Sequence, residues 1–453
     1  MADKAGLLAL DARTLRDRLA SGAVKALDLA EACIARIEAR EPDVQAWAWV
    51  DPDFARHQAR ALDAHRQAGR PIGPLHGLPV GLKDIIDTAK IPTENGCAQD
   101  AGRVPIIDAA LVARLKAAGA VIMGKTVTTE LAFLQPGKTR NPHNPAHTPG
   151  GSSSGSAAAV ADGMVPLAIG TQTGGSVIRP ASYCGITGYK PSFGAIPRTG
   201  VLMQSPTLDT VGVFARTPCD AAMFAEALWG HDAGDTATSP EPAPRLEEVA
   251  ASDPPIRPLF AFVKPPGWEE ADPQLHAAFD ELIETLGDQV FEVTLPRAFA
   301  EAAHVRERIN LAEMARYYYR YAKAPDALGP RTRQALASGD TILARDYLSA
   351  LDWPNVLYAG LEEIFDRCDA ILCPAATGPA PEGLDFTGNA IFNGVWTLTG
   401  VPAVTIPALT AENGLPMGVQ LVGARGNDAR LMRAAHWFET WLTGAGPEER
   451  MTT

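Results

Sequence analysis

Apolar residues recur at helical spacing over residues 9–40, and this pattern predicts two amphipathic helices. Leu15 and Leu19 fall four apart in the first, with Asp11 placed to cap it and Gly22 to end it. Leu27, Ala30, Ile34 and Ile37 keep the period in the second. Residues 51–68 read as a further helix with Arg and His on its exposed side. Gly and Pro at 73–79 break the helical pattern, and LPVGLKDII (78–86) predicts a short buried strand. DAALVARLKAAG (108–119) then predicts a helix and VIMGKT (121–126) a strand.

A Pro/Asn-rich loop at 139–151 leads into a stretch, 150–191, where small residues flank the apolar runs AAAV and MVPLAIG. Beyond it come loops and short strands to residue 217, then a helix over PCDAAMFAEALWG. Residues 231–258 are rich in Pro, Ala and Asp and read as an exposed excursion. FAFVKPP starts a new strand, and helices are expected over 273–287, 299–322 and 340–366. AILCPAA reads as a strand, residues 402–423 as two strands around Asn413-Gly414, and 428–443 as a closing helix. Strands alternating with helices predict an α/β fold, with a mixed or largely parallel sheet covered by helices. No repeat and no linker divides the pattern.

Composition permits a large core: the chain has 453 residues, 46% hydrophobic and 21% charged. A formal net charge of −13 argues against nucleic acid as a partner, because phosphate binding wants clustered Lys and Arg. The six cysteines contain no CxxC pair, and Cys368 and Cys373 lack neighbouring histidines. They are expected as buried free thiols, not as a zinc site or disulfides. The N-terminal MADKAGLLALDARTLRDRL has no apolar core of a signal peptide, and no run is long enough to span a bilayer. A soluble cytoplasmic protein without a membrane partner is expected.

Candidate chemistry concentrates in 150–191, GGSSSGSAAAVADGMVPLAIGTQTGGSVIRPASYCGITGYKP. Glycine lets backbone N–H groups approach a ligand closely, and serine is a nucleophile once its proton is removed. A serine hydrolase centre follows, with its base elsewhere. Lys83 is one candidate, because burial in an apolar run lowers a lysine pKa toward neutrality. The alternative is a structural ion pair with Asp84 or Asp87, and spacing does not choose between them. His57 and His65 lie on a solvated helix face, and His143 and His147 on a polar loop, where histidines are ordinary. The aromatic tract MARYYYRYAKAP (314–325) either lines a pocket or, by default, packs in the core. A G-x-S-x-G at Gly151–Gly155 would make Ser153 an elbow nucleophile, but NPAHTP precedes it where that motif needs a strand. GTQTGGS lacks the lysine of a phosphate-binding loop.

The run from Gly150 through Gly194 resembles the signature of the amidase signature family over its whole length. GPLHGLPVGLKDIIDT resembles that family's lysine segment, and FN…TGVPAVTIP and NGLPMGVQLVG its C-terminal segments. The resemblance spans about residues 10 to 440 and points to bacterial stand-alone amidases, among them urethane- or carbamate-cleaving members. It implies a large mixed central sheet covered on both faces by helices. It also implies one domain over 1–453, with a core at 70–220 and a variable helical pocket region at 231–370. Residues 371–453 would complete the core.

By motif match, the resemblance implies Ser176 as nucleophile, Ser152 as a bridging serine after a cis peptide bond, and Lys83 as base. The residues alone do not select Ser152 over Ser153, Ser154 or Ser156. Thr173, Gly174 and Gly175, with Ser176, would offer N–H groups to the oxyanion. No metal or organic cofactor has a role in this scheme. Gln172 stands where the family often has Asp, and Ser154 where it often has Gly. The expected activity is hydrolysis of C–N bonds in small amides or carbamates, by a monomer or homodimer. The alternatives are the catalytic subunit of a glutamine-dependent tRNA amidotransferase and a catalytically silent scaffold.

Overall fold

Eleven strands run as a single sheet through the computed structural model, which describes residues 4–444. In chain order they are β1 Trp47–Val50, β2 Pro79–Lys83, β3 Val121–Thr126, β4 Leu167–Gln172, β5 Thr187–Lys190 and β6 Thr210–Ala215. β7 Phe260–Val263, β8 Val290–Val293, β9 Ala370–Pro374, β10 Ala403–Thr410 and β11 Pro416–Val422 complete the set. Their order across the sheet is β1-β3-β2-β4-β6-β5-β10-β11-β9-β7-β8.

The sheet is mixed. β2 runs parallel to both β3 and β4, and β7 parallel to β8 and β9. The remaining neighbours are antiparallel. β2, β3 and β4 are buried along their whole length. Strands covered on both faces need apolar side chains on both, which is why they read as continuous runs, not alternations. The helix Ala26–Val44 is one of the elements flanking this end of the sheet, and its buried face carries Leu29, Ala30, Cys33, Ile34 and Ile37. Asp11 caps the helix Ala12–Ser21 through the Thr14 N–H at 2.6 Å, and Gly22 closes it in the left-handed region.

Several elements differ from expectation. The strand read over 78–86 stops at Lys83, because the Ile85 and Ile86 N–H groups turn back onto the Lys83 carbonyl. The helix expected over 299–322 breaks at Tyr318 into Ala302–Tyr317 and Tyr319–Ala322. That over 340–366 divides at Asp352 into Ala344–Leu351 and Trp353–Phe365, with Pro354 seated in the first turn of the second, where its missing N–H costs nothing. β1, β8 and the helix Pro330–Gly339 carry patterns too short or too polar to announce themselves.

Residues 231–258 are largely exposed, but they are anchored. Asp235 and Thr238 are buried, and Leu246 and Ala250 of the helix Leu246–Ala250 reach the core. Asp235 forms a buried ion pair with Arg198 at 2.8 Å. In the aromatic tract, Tyr318 and Tyr321 are buried in a cluster with Cys97, Leu131, Met314 and Leu328, while Tyr319 is exposed. All six cysteines are buried and unpaired. Among the described residues, no helix is long and apolar enough to cross a membrane.

Candidate active site

Lys83 is the last residue of β2, and it is fully buried. Because β2 lies beside β4 in parallel register, its ammonium meets side chains at the C-terminal end of β4. Lys83 Nζ lies 2.9 Å from Thr171 Oγ1 on β4 and 2.8 Å from Ser152 Oγ. Desolvation pushes its pKa down to about 7, and the negative charge of Asp209 offsets only part of that. Neither acid that could have paired with it does so. Asp84 lies 3.5 Å from Lys125, and Asp87 grips Arg103 at 2.7 Å.

The four serines of 150–156 have different partners. Only Ser152 meets Lys83, and it follows a cis peptide bond from Gly151. Ser153 Oγ and the backbone of Thr171 on β4 are joined by 3.2 Å contacts. Ser154 opens the helix Ser154–Ala161 and donates to the Val127 carbonyl, so an Oγ at this position serves local backbone. Ser156 donates to the Ile169 carbonyl at 2.8 Å and meets Thr126 Oγ1. The Gly151 carbonyl accepts from Arg179 Nη2 at 2.6 Å, and Arg179 Nη1 donates to the Gly388 carbonyl. Arg179 is itself buried, and desolvation lowers its pKa to about 10.

Ser176 sits half-buried in the turn between β4 and the helix Ile178–Cys184. No hydrogen bond joins it to Ser152 or to any other described side chain. The N–H groups of Thr173, Gly174, Gly175 and Ser176 likewise donate to no described residue. Four consecutive N–H groups in one turn are thus left as donors that a negative charge could use. The turn is held from behind. Gln172 Oε1 accepts from the Val177 and Ile178 N–H groups at 2.9 and 3.0 Å, and its Nε2 donates to Thr397 Oγ1. Thr397 Oγ1 in turn donates to the Gly174 carbonyl at 2.7 Å. Gln172 thus caps the following helix while steering the turn, and an acid there could accept those N–H bonds but not donate to Thr397. Thr173 Oγ1 donates to Asp209 at 2.6 Å. A Cβ on Gly175 would lie 2.4 Å from Asn393 Oδ1, so only glycine fits that close approach.

The histidines serve other parts of the fold. His143 contacts the Cys184 carbonyl and His147 the Ala380 carbonyl, both at 2.8 Å, and His65 meets the Pro71 carbonyl. A cleft of about 450 Å³ bounded by Phe193, Trp229 and Arg425 includes none of Lys83, Ser152 and Ser176 in its lining. A small cavity lined by Thr171, Thr173, Met203 and Asp209 does border the turn. Sequence reasoning missed Thr171, Arg179, Thr397 and Asn393 as parts of this site. Thr171 and Arg179 lie inside the glycine-rich stretch, but nothing in their spacing marks them apart from their neighbours.

The profile of the Amidase family matches residues 28–432. The chain belongs to the amidase signature family. It is 33% identical to a glutamyl-tRNA(Gln) amidotransferase subunit of Chloroflexus aurantiacus, over 93% of this chain and 94% of that protein. Its fold matches a chain solved in work on a vestigial protein complex and the evolutionary origins of an s-triazine catabolic enzyme. That match has a TM-score of 0.89 at 28% identity, covering 96% of this chain and 99% of that one. The native peptide amidase from Stenotrophomonas maltophilia superposes with a TM-score of 0.83 at 28% identity, covering 96% and 97% of the two chains. The large mixed α/β architecture is common to this family.

Proposed function

We propose that the chain is a serine hydrolase that cleaves the C–N bond of small amides, with Ser176 as nucleophile, Ser152 as relay and Lys83 as base. The observation that carries the reading is the buried Lys83–Ser152 contact at 2.8 Å, made by a lysine whose pKa is lowered to about 7. A lysine so placed is substantially neutral near pH 7 and can accept a proton.

The steps then balance. Ser176 Oγ attacks the carbonyl carbon as its proton passes to Ser152, whose own proton passes to Lys83 Nζ. The carbonyl oxygen takes up negative charge toward the N–H groups of 173–176, each worth roughly 3–4 kcal/mol of barrier where such donors have been removed. Collapse breaks the C–N bond, and the departing amine takes a proton back through Ser152. Water then cleaves the Ser176 ester by the same route. The relay needs the Ser176 hydroxyl to donate to Ser152, a bond that commonly tightens only in the substrate complex. A carbamate carbonyl would meet the same groups.

Labelling tests this. A fluorophosphonate probe should modify Ser176, and labelling should vanish in Ser176→Ala. An unlabelled wild-type chain would instead indicate a silent scaffold. A second reading, the catalytic subunit of a glutamine-dependent tRNA amidotransferase, is favoured by the name of the Chloroflexus relative. It requires ammonia release from glutamine that depends on partner subunits, whereas the leading reading requires turnover of small amides by this chain alone. Comparing anilides, carbamates and primary amides ranks the substrate classes.

A further inference from the structure

Arg306 belongs to the helix Ala302–Tyr317 and lies over the catalytic turn. A Cβ built on Gly174 would come within 3.4 Å of its Nη1, and one built on Gly394 within 2.7 Å of its Nε. Gly394 lies on the helix Ile391–Leu398, which also supplies Asn393 and Thr397 to the same turn. Two glycines therefore leave room for one guanidinium beside the free N–H groups of 173–176.

That guanidinium has no carboxylate and no carbonyl among the described residues as hydrogen-bond or ion-pair partner. Most other arginines near the core do have one. Arg198 holds Asp235, Arg103 holds Asp87, and Arg179 holds the Gly151 and Gly388 carbonyls. The neighbouring charge on its own helix is the exposed Glu307, and the buried Arg179 adds repulsion. Arg306 is half-buried, and desolvation lowers its pKa. A planar fork of donors matches a carboxylate in two parallel hydrogen bonds.

We propose that Arg306 binds a carboxylate carried by the substrate, so that the preferred substrates are small amides with a carboxylate a few bonds from the scissile carbonyl. This rests on the serine amidase reading above and names its substrate class. The same turn would then receive two negative groups: the developing oxyanion at the N–H groups and the fixed carboxylate at Arg306.

The test uses the full chain and matched anilides. Succinic acid mono-p-nitroanilide carries its carboxylate on the acyl side, and N-butyryl-p-aminobenzoate on the leaving amine. Butyryl p-nitroanilide is neutral. Wild type should prefer one charged anilide over the neutral one in kcat/KM, and that ratio should fall roughly 10- to 100-fold in Arg306→Leu, with partial return in Arg306→Lys. Succinate alone should slow fluorophosphonate labelling of Ser176 in wild type, and butyramide at the same concentration should do so less. An unchanged kcat/KM ratio in Arg306→Leu overturns the proposal, as does equal protection by succinate and butyramide. If succinate binds wild type but not Arg306→Leu by calorimetry while Ser176 resists labelling, the carboxylate site stands and the serine amidase reading falls.

Discussion

Lys83 and Ser152 are 69 residues apart in the chain, yet their side chains meet at 2.8 Å inside a core where neither is exposed beyond 1%. No acid hydrogen-bonds the lysine, and Thr171 is its other partner. A buried lysine held by two hydroxyls is arranged to lose its proton easily.

The pH dependence of turnover should report this directly. The base must be neutral, so kcat/KM should rise with pH in proportion to the neutral fraction, with unit slope on logarithmic axes below about 7, and level off above it. A profile flat between about pH 5 and 8 would exclude Lys83 as the titrating base.

Stability should carry the complementary signature. The folded pKa, about 7, lies below the ordinary 10.5, so the unfolded chain binds the extra proton between these values. Burying Lys83 therefore destabilises the fold most below pH 7, and that cost fades as pH rises toward 10.5. Lys83→Met should abolish turnover, and its Tm relative to wild type should be highest at acidic pH and decline toward alkaline pH. Thermal melts of both proteins across that range check the sign.

The serines can be ranked. Ser176→Ala and Ser152→Ala should lower kcat by on the order of 10³- to 10⁶-fold, the range seen when members of a catalytic relay are removed. Ser154→Ala removes only a 3.3 Å contact to the Val127 carbonyl and should stay within about tenfold of wild type. Comparable losses at Ser154 and Ser152 would contradict the relay.

Gly175→Ala tests the turn without touching a reacting side chain. The new Cβ would press on Asn393 Oδ1 at 2.4 Å, and Asn393 is held by its Nδ2 bond to the Ala375 carbonyl. The backbone must yield, and the N–H groups leave their aim. A fall in kcat of roughly 10²- to 10³-fold with KM little changed is expected, since the lost interaction belongs to the transition state.

The anchored excursion makes a prediction of its own. Burial alone would raise the Asp235 carboxyl, but its bonds from Arg198 outweigh that and hold it at about 2, against an ordinary 3.8. The pair's contribution is therefore complete above 3.8 and lost as pH falls through about 2. Asp235→Ala leaves Arg198 buried without its partner and should cost about 3–5 kcal/mol at neutral pH. Denaturant unfolding at pH 7 and at about pH 3 should show the gap between variant and wild type narrowing in acid.

Most elements were legible because their signals are local. The buried runs PVGLK and VIMGKT mark β2 and β3, and Asp11 and Gly22 mark the limits of a helix. The elements that escaped lack such signals. WAWV and VFEV are four-residue strands, and the helix Pro330–Gly339 has a polar face that reads as loop. The break at Tyr318 comes from packing, since its ring and hydroxyl are drawn into the cluster around Leu131.

At the site, the sequence by itself determined the residue types: a lysine inside an apolar run, two glycine- and serine-rich turns, and motifs whose likeness to a family assigns them roles. Which serine meets the lysine was decided only by tertiary structure. Four serines within five residues share one composition, yet Ser152 meets Lys83, Ser153 and Ser156 meet the β4 backbone, and Ser154 meets the Val127 carbonyl. The fate of Asp84 and Asp87 was decided in the same way, by Lys125 and Arg103, which the fold brings within reach. Partners such as Thr397 and Arg306 come from distant segments. Hydrogen bonds and charge act through space, and spacing along the chain does not encode that distance.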